Sequence, residues 1–178
     1  MKRLLSALVA APLLMSGCTG SAPGFATAPR CSSVERLGLI AQSVPSTSYV
    51  PCIAELPTGW RTDELVVRNG QTSFQLVSDR AAGHPVQVEL RRGCEPSGGA
   101  PVPPRTVGGR TYLALRSIAP RFTGTLYDLF PGGCVTYAFD FQRGPHIALM
   151  ADLEAAVGFV SRPELSRSLR HQVGVDLR

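Results

Sequence analysis

Lysine is almost missing from this chain: Lys2 is the only one among 178 residues, and arginine supplies every other cation. Without lysine there is no S-x-x-K nucleophile, no Walker phosphate loop and no Schiff-base chemistry beyond residue 2. Asparagine occurs once, as Asn69, and tryptophan once, as Trp60. No G-x-S-x-G elbow is present, and none of the three histidines, His84, His146 and His171, belongs to an H-E-x-x-H pattern. The cysteine spacings contain no C-x₂₋₄-C pair, which argues against a zinc site. Long apolar runs are also missing. The longest, Leu4–Met15, has twelve largely apolar residues and is too short for a bilayer core of about 30 Å. What remains is a globular composition: 44% hydrophobic residues exclude a fully disordered chain, and the length suits one domain.

The N-terminus has the layout of an export signal. Met1-Lys2-Arg3 is cationic, the apolar run follows, and Ser16-Gly17 make a small-residue exit before Cys18. The alternative is a buried N-terminal helix, but helices seldom open on Lys-Arg and close on Ser-Gly-Cys. Leu14-Met15-Ser16-Gly17-Cys18 resembles the lipobox of bacterial lipoproteins, with Met15 where leucine is commonest. That resemblance implies removal of residues 1–17 and lipid attachment at Cys18, the thiol taking a diacylglycerol and the new amino group an acyl chain such as palmitate. Two or more chains anchor firmly where one does so marginally. Residues 18–30, rich in Gly, Ser, Pro and Ala, then read as a flexible tether. A single disulfide-stapled domain is expected over 31–178.

Removal of residues 1–17 takes two cations and no acid, leaving sixteen arginines against thirteen acids, a net charge of +3 rather than +5. That is no nucleic-acid footprint. An Arg-only, Ala/Gly/Pro-rich composition is what a GC-rich genome writes; the functional alternative is bidentate recognition of phosphate or carboxylate. With Cys18 assigned to lipid, Cys31, Cys52, Cys94 and Cys134 remain. Four cysteines in an exported chain imply two disulfides with three connectivities, of which Cys31–Cys52 and Cys94–Cys134 are favoured because each brackets a local unit.

The pattern predicts an α+β fold: a mainly antiparallel sheet of about six strands, a short N-terminal helix and a C-terminal αα-hairpin packed on it. Ser32-Ser33-Val34-Glu35 has the capping-box form, and Val34, Leu37, Ile40 and Ala41 recur at helical spacing over 33–43. Strands are expected at 64–68, 72–78, 85–92, 110–117, 122–130 and 134–141, with Asn69-Gly70 as a type I′ turn. Residues 93–109 read as a long loop. Ile147, Met150, Leu153, Val157 and Val160 suggest a helix that Gly158 interrupts near its end, and Ser161-Arg162-Pro163-Glu164 opens a second with Leu165, Leu169 and Val173 on one face and Gly174 as its cap.

Candidate chemistry is sparse. Asp128 and Asp140, on adjacent expected strands, are the nearest approach to a paired-carboxylate hydrolase. Trp60 suits a stacking contact with a sugar or partner as well as simple packing, and Arg162, Arg167 and Arg170 suit a basic face turned to anionic headgroups or polymers. A third alternative is a carrier of a hydrophobic or lipid ligand, which needs an open apolar cavity on the Val135–Phe141 face. No cofactor and no metal are expected.

Two further stretches, Tyr49-Val50-Pro51-Cys52-Ile53 leading to Leu56-Pro57-Thr58-Gly59-Trp60 and Phe130-Pro131-Gly132-Gly133-Cys134, together with the Gly158–Leu177 segment, look like uncharacterised exported envelope proteins of actinobacteria. These motifs concern cysteines and turns and imply no activity. The expectation from sequence is a lipid-anchored, extracytoplasmic protein of the cell membrane, non-catalytic, binding or assembling with an envelope protein, polymer or lipid and not with nucleic acid.

Overall fold

Asn69-Gly70 makes a tight two-residue turn joining β2 (Trp60–Arg68) to β3 (Gln71–Ser78), but not of the expected type I′: Gly70 lies at φ +83° while Asn69 keeps a negative φ, where type I′ needs both positive. The structure, a computed structural model, describes residues 27–177; the expected export signal, Cys18 and most of the expected tether lie outside them. β3 pairs with β4 (Gly83–Arg91), β4 with β8 (Gly133–Phe141), β8 with β7 (Phe122–Phe130) and β7 with β6 (Arg110–Ser117), every pair antiparallel. All six expected strands form. The expected loop 93–109 adds a seventh, β5 (Ala100–Val102), at the β6 edge, giving the order β2-β3-β4-β8-β7-β6-β5.

Alternation along the strands separates two faces. Phe74, Leu76, Val86, Val88, Leu90, Leu126, Val135 and Tyr137 are buried on one. Against that side lies the helical layer: α1 (Val34–Ser43), α2 (His146–Ala156) and α3 (Arg162–Val173) contribute Leu37, Ile40, Leu149, Leu153, Leu165 and Leu169 to the same core. The N-terminal helix and the C-terminal helix pair on the sheet are as the apolar spacing predicts. At about 25 cal/mol per Å² of apolar surface removed from water, burying each such side chain contributes roughly 1.5–3 kcal/mol.

The link between α2 and α3 differs from expectation. Residues 157–161 leave the helix and form β9 (Val157–Ser161), antiparallel to β1 (Tyr49–Ile53) in a separate two-stranded sheet. Val-Gly-Phe-Val-Ser is rich in residues that favour strand over helix. In β9 Gly158 lies opposite Cys52, and a Cβ there would stand 3.2 Å from the Cys31 Sγ and 3.0 Å from the Ala54 Cβ. The buried stripe of α2 is consequently Leu149, Met150, Leu153 and Ala156, and Ile147, expected inside, is 90% exposed.

Caps divide in the same way. Ser161 accepts a hydrogen bond from the Glu164 amide and Gly174 closes α3 in the left-handed region, both as predicted. The capping box at Ser32–Glu35 does not form: Ser33 takes the N-cap position without a side-chain bond. Both favoured cysteine pairs do form, Cys31–Cys52 with Cα atoms 4.9 Å apart and Cys94–Cys134 with 6.0 Å. The packed unit starts slightly before Cys31, since Ala28 is buried and the Ile53 amide donates to the Pro29 carbonyl.

Candidate functional site

Asp128 and Asp140 sit on opposite faces of the sheet. Asp128 opposes Val135 on the core side and is 1% exposed, whereas Asp140 opposes Thr123 on the outer side. Their positions along β7 are five residues apart, about 17 Å at strand rise. No shared cleft joins them, and retaining or inverting hydrolysis needs carboxyl groups within about 10 Å of each other.

Each acid belongs instead to an arginine. Arg105, from the long loop, donates through Nη1 to the Asp128 Oδ2 at 3.0 Å and through Nη2 to the Glu154 carbonyl at 2.7 Å and the Val157 carbonyl at 2.5 Å. Thr111 Oγ1 donates to the other Asp128 oxygen at 2.8 Å. The guanidinium lies 5.4 Å from the ring centroids of both Tyr137 and Phe159. One side chain thus ties the loop to β7 and to the α2–β9 junction, where it meets the helix C-terminal carbonyls left without amide partners. Burial opposes the Arg105 charge, but Tyr137 and Asp128 together hold its pKa above the ordinary value. Burial, opposed by Arg105 and reinforced by Asp128, pushes the Tyr137 phenol well above its usual range, so it stays neutral and Asp128 is the operating counter-ion. This cluster is a clasp, buried at Asp128 and partly open to solvent at Arg105. Nothing in the Pro-rich sequence around Arg105 marked it for that role.

The open side of the sheet is different. Its outer face is polar, and between β4, β6, β7 and β8 it forms an open groove of about 560 Å³. His84, Gln87, Arg116, Arg121, Thr123, Thr125 and Asp140 line it, with Ser117 and Pro120 of the β6–β7 turn at its rim and Phe139 and Gly124 contributing apolar surface. Arg121 is paired with Asp140, its Nε donating to Oδ1 at 3.0 Å and an Nη donating to Oδ2. That hydrogen-bonded pairing raises the Arg121 pKa. Among the described residues Arg116, His84, Gln87 and Thr123 engage no other side chain, so their donors face the groove's solvent. A donor-rich, arginine-bearing concavity of this kind suits an anionic, oxygen-rich ligand by charge-assisted hydrogen bonding.

The expected contact residues are not brought together. Trp60 is 7% exposed, lies edge-on to Phe141 at 6.4 Å and donates through Nε1 to the Asp152 Oδ2 at 3.1 Å, so it belongs to the core. Arg162 donates to the Ala41 carbonyl at 3.0 Å, and partial burial lowers its pKa. Arg170 pairs with Asp176 at 2.8 Å. Arg167 borders a shallow groove on α3 with Glu164, Ser168 and His171. The basic face expected on the last helix is therefore divided among separate tasks. On the Val135–Phe141 face the core positions are at most 4% exposed, and the chain's own side chains fill the space a hydrophobic ligand would need.

Comparison with protein-family models, with curated proteins and with solved structures gives no match.

Proposed function

We propose that the chain is an exported lipoprotein, anchored through Cys18 outside the cytoplasmic membrane, whose domain is a non-catalytic binding or assembly module. The observation that carries this reading is the run Leu14–Cys18 in a chain whose other four cysteines lie in two pairs at bonding distance. Disulfides persist in oxidising compartments outside the cytoplasm, and a fifth cysteine behind a short apolar run and two small residues suits lipid attachment. The separation of Asp128 from Asp140 favours a module over a carboxylate hydrolase, and the open polar groove supplies a surface on which to bind.

Expression in a bacterial host of the wild type and of Cys18→Ala tests the anchor. The wild type is expected in the membrane fraction with an N-terminal peptide starting at Cys18 and carrying diacylglycerol and acyl mass. The variant is expected to carry none. A wild type recovered with an unmodified Cys18 would overturn the reading.

A further inference from the structure

Strand register brings one end of β4, β6, β7 and β8 together: Ser117 opposes Thr123, Phe122 opposes Phe141, and Phe141 opposes Gly83. The turn at that end reads Arg116-Ser117-Ile118-Ala119-Pro120-Arg121. Ile118, between Arg116 and Arg121, is 68% exposed, and Leu115, immediately before the turn, is 42% exposed. Beside the turn, the His146 ring stacks on Phe122 at 5.0 Å, and its neighbour Ile147 is 90% exposed. Three of the seven large hydrophobic side chains exposed among the described residues thus stand at this one end.

The charge there matches the apolar tip. Among the described residues Arg116 makes no ion pair, and Asp140 engages Arg121 through two of its five N–H groups, leaving three. Both arginines border the open groove. An apolar tip flanked by guanidinium groups is complementary to an anionic bilayer surface: isoleucine enters the boundary between headgroups and acyl chains while arginine takes phosphate oxygens. A free anion would satisfy the arginines but leave Ile118 and Ile147 facing water.

We infer that this end of the domain docks on the anionic surface of a lipid bilayer, with the β6–β7 turn as the inserted element. The inference rests on the membrane-anchored reading above, and the two fail separately: acylation is read as mass on Cys18, docking as amide exchange at the turn. The exported chain is mixed with vesicles of phosphatidylglycerol and phosphatidylcholine, and in parallel with phosphatidylcholine alone. Hydrogen exchange over residues 115–122 is expected to be slower with the anionic vesicles. Arg116→Ala should reduce that difference about fivefold, since each arginine near an anionic surface contributes about that factor. Ile118→Ser should reduce it several-fold, and Arg110→Ala, at the opposite end of β6, should leave it unchanged. Both test positions are exposed, and unchanged exchange in the β3 and β4 peptides verifies the fold. Equal exchange with the two vesicles, or wild-type behaviour of Arg116→Ala and Ile118→Ser, overturns the inference. So does protection of the turn by glycerol 3-phosphate alone with displacement of the vesicles, which would mark a site for soluble phosphate esters.

Discussion

Tyr137 is fully buried in β8, and its hydroxyl lies beside Arg105 and Asp128 without meeting hydrogen-bond geometry. Burial dominates its titration and keeps the phenol protonated well beyond the usual range, with Arg105 pulling the other way. The consequence for stability has a definite sign. Below about pH 10 the phenol is neutral in both the folded and the unfolded chain and contributes no slope. Above that, the unfolded chain releases the proton while the folded chain retains it, so stability falls as pH rises, by up to about 1.4 kcal/mol per pH unit. Tyr137→Phe should remove this slope and cost little at pH 7, because the deleted hydroxyl leaves no hydrogen-bond partner behind. Denaturation midpoints from pH 8 to 11.5 test this; an equal alkaline loss in Tyr137→Phe would refute it.

At the scale of elements, β9 carries the sharpest disagreement between pattern and structure. Val157 and Val160 continue the i, i+3, i+4 spacing of α2, and a helix through 160 is the natural reading of that spacing. Residues 157–161 instead satisfy the outer amides and carbonyls of β1, a partner more than a hundred positions away that no local window contains. Gly158 distinguishes the two states by the sign of one substitution. In a helix, Gly158→Ala would stabilise by up to about 1 kcal/mol. In β9 the new methyl meets the Cys31 Sγ at 3.2 Å and the Ala54 Cβ at 3.0 Å, so Gly158→Ala should destabilise by about 1 kcal/mol and Gly158→Val by up to about 3. Urea midpoints at unchanged slope measure both; a stabilised Gly158→Ala would speak for helix. The elements that were legible have strong local codes: Asn69-Gly70, the alternation of β4 and β8, the Ser161–Glu164 cap and the Gly174 terminus. The candidate site was much less so. Strand alternation marks which side chains share a face, but not that Arg116 and Arg121 border one groove or that Arg105 crosses to Asp128. Those depend on register and on loop path, which are tertiary.

For the whole molecule, the two cysteine pairs supply a large share of the stability. Cys31–Cys52 closes a segment of 21 residues around α1, and Cys94–Cys134 closes one of 40 around the β5–β6–β7 half of the sheet. Chain entropy assigns about 3 kcal/mol to the first loop and about 4 kcal/mol to the second. Domains of this size are stable by only about 5–15 kcal/mol in total, so losing both links removes half or more of the margin. The two should not act alike. Cys52 is completely buried under β9, and replacing the first pair also disturbs the packing against Gly158 and the Pro29–Ile53 contact that fastens the start of the domain. Cys94 stands at the head of a loop that β5 and the Arg105 clasp hold independently. Cys94→Ala/Cys134→Ala is therefore expected to lower stability by about 4 kcal/mol, a loss that arises in the unfolded chain, with little rise in native exchange over 93–109. Cys31→Ala/Cys52→Ala is expected to cost at least as much despite its shorter loop, with exchange rising through α1, β1 and β9 together. Guanidinium midpoints and exchange maps of the two double variants test this, and a strong rise in exchange over 93–109 in the 94–134 variant would show that the clasp does not hold its loop alone. Combining both double variants should leave too little stability for a persistent fold at 37 °C, which ties folding of this domain to formation of its disulfides.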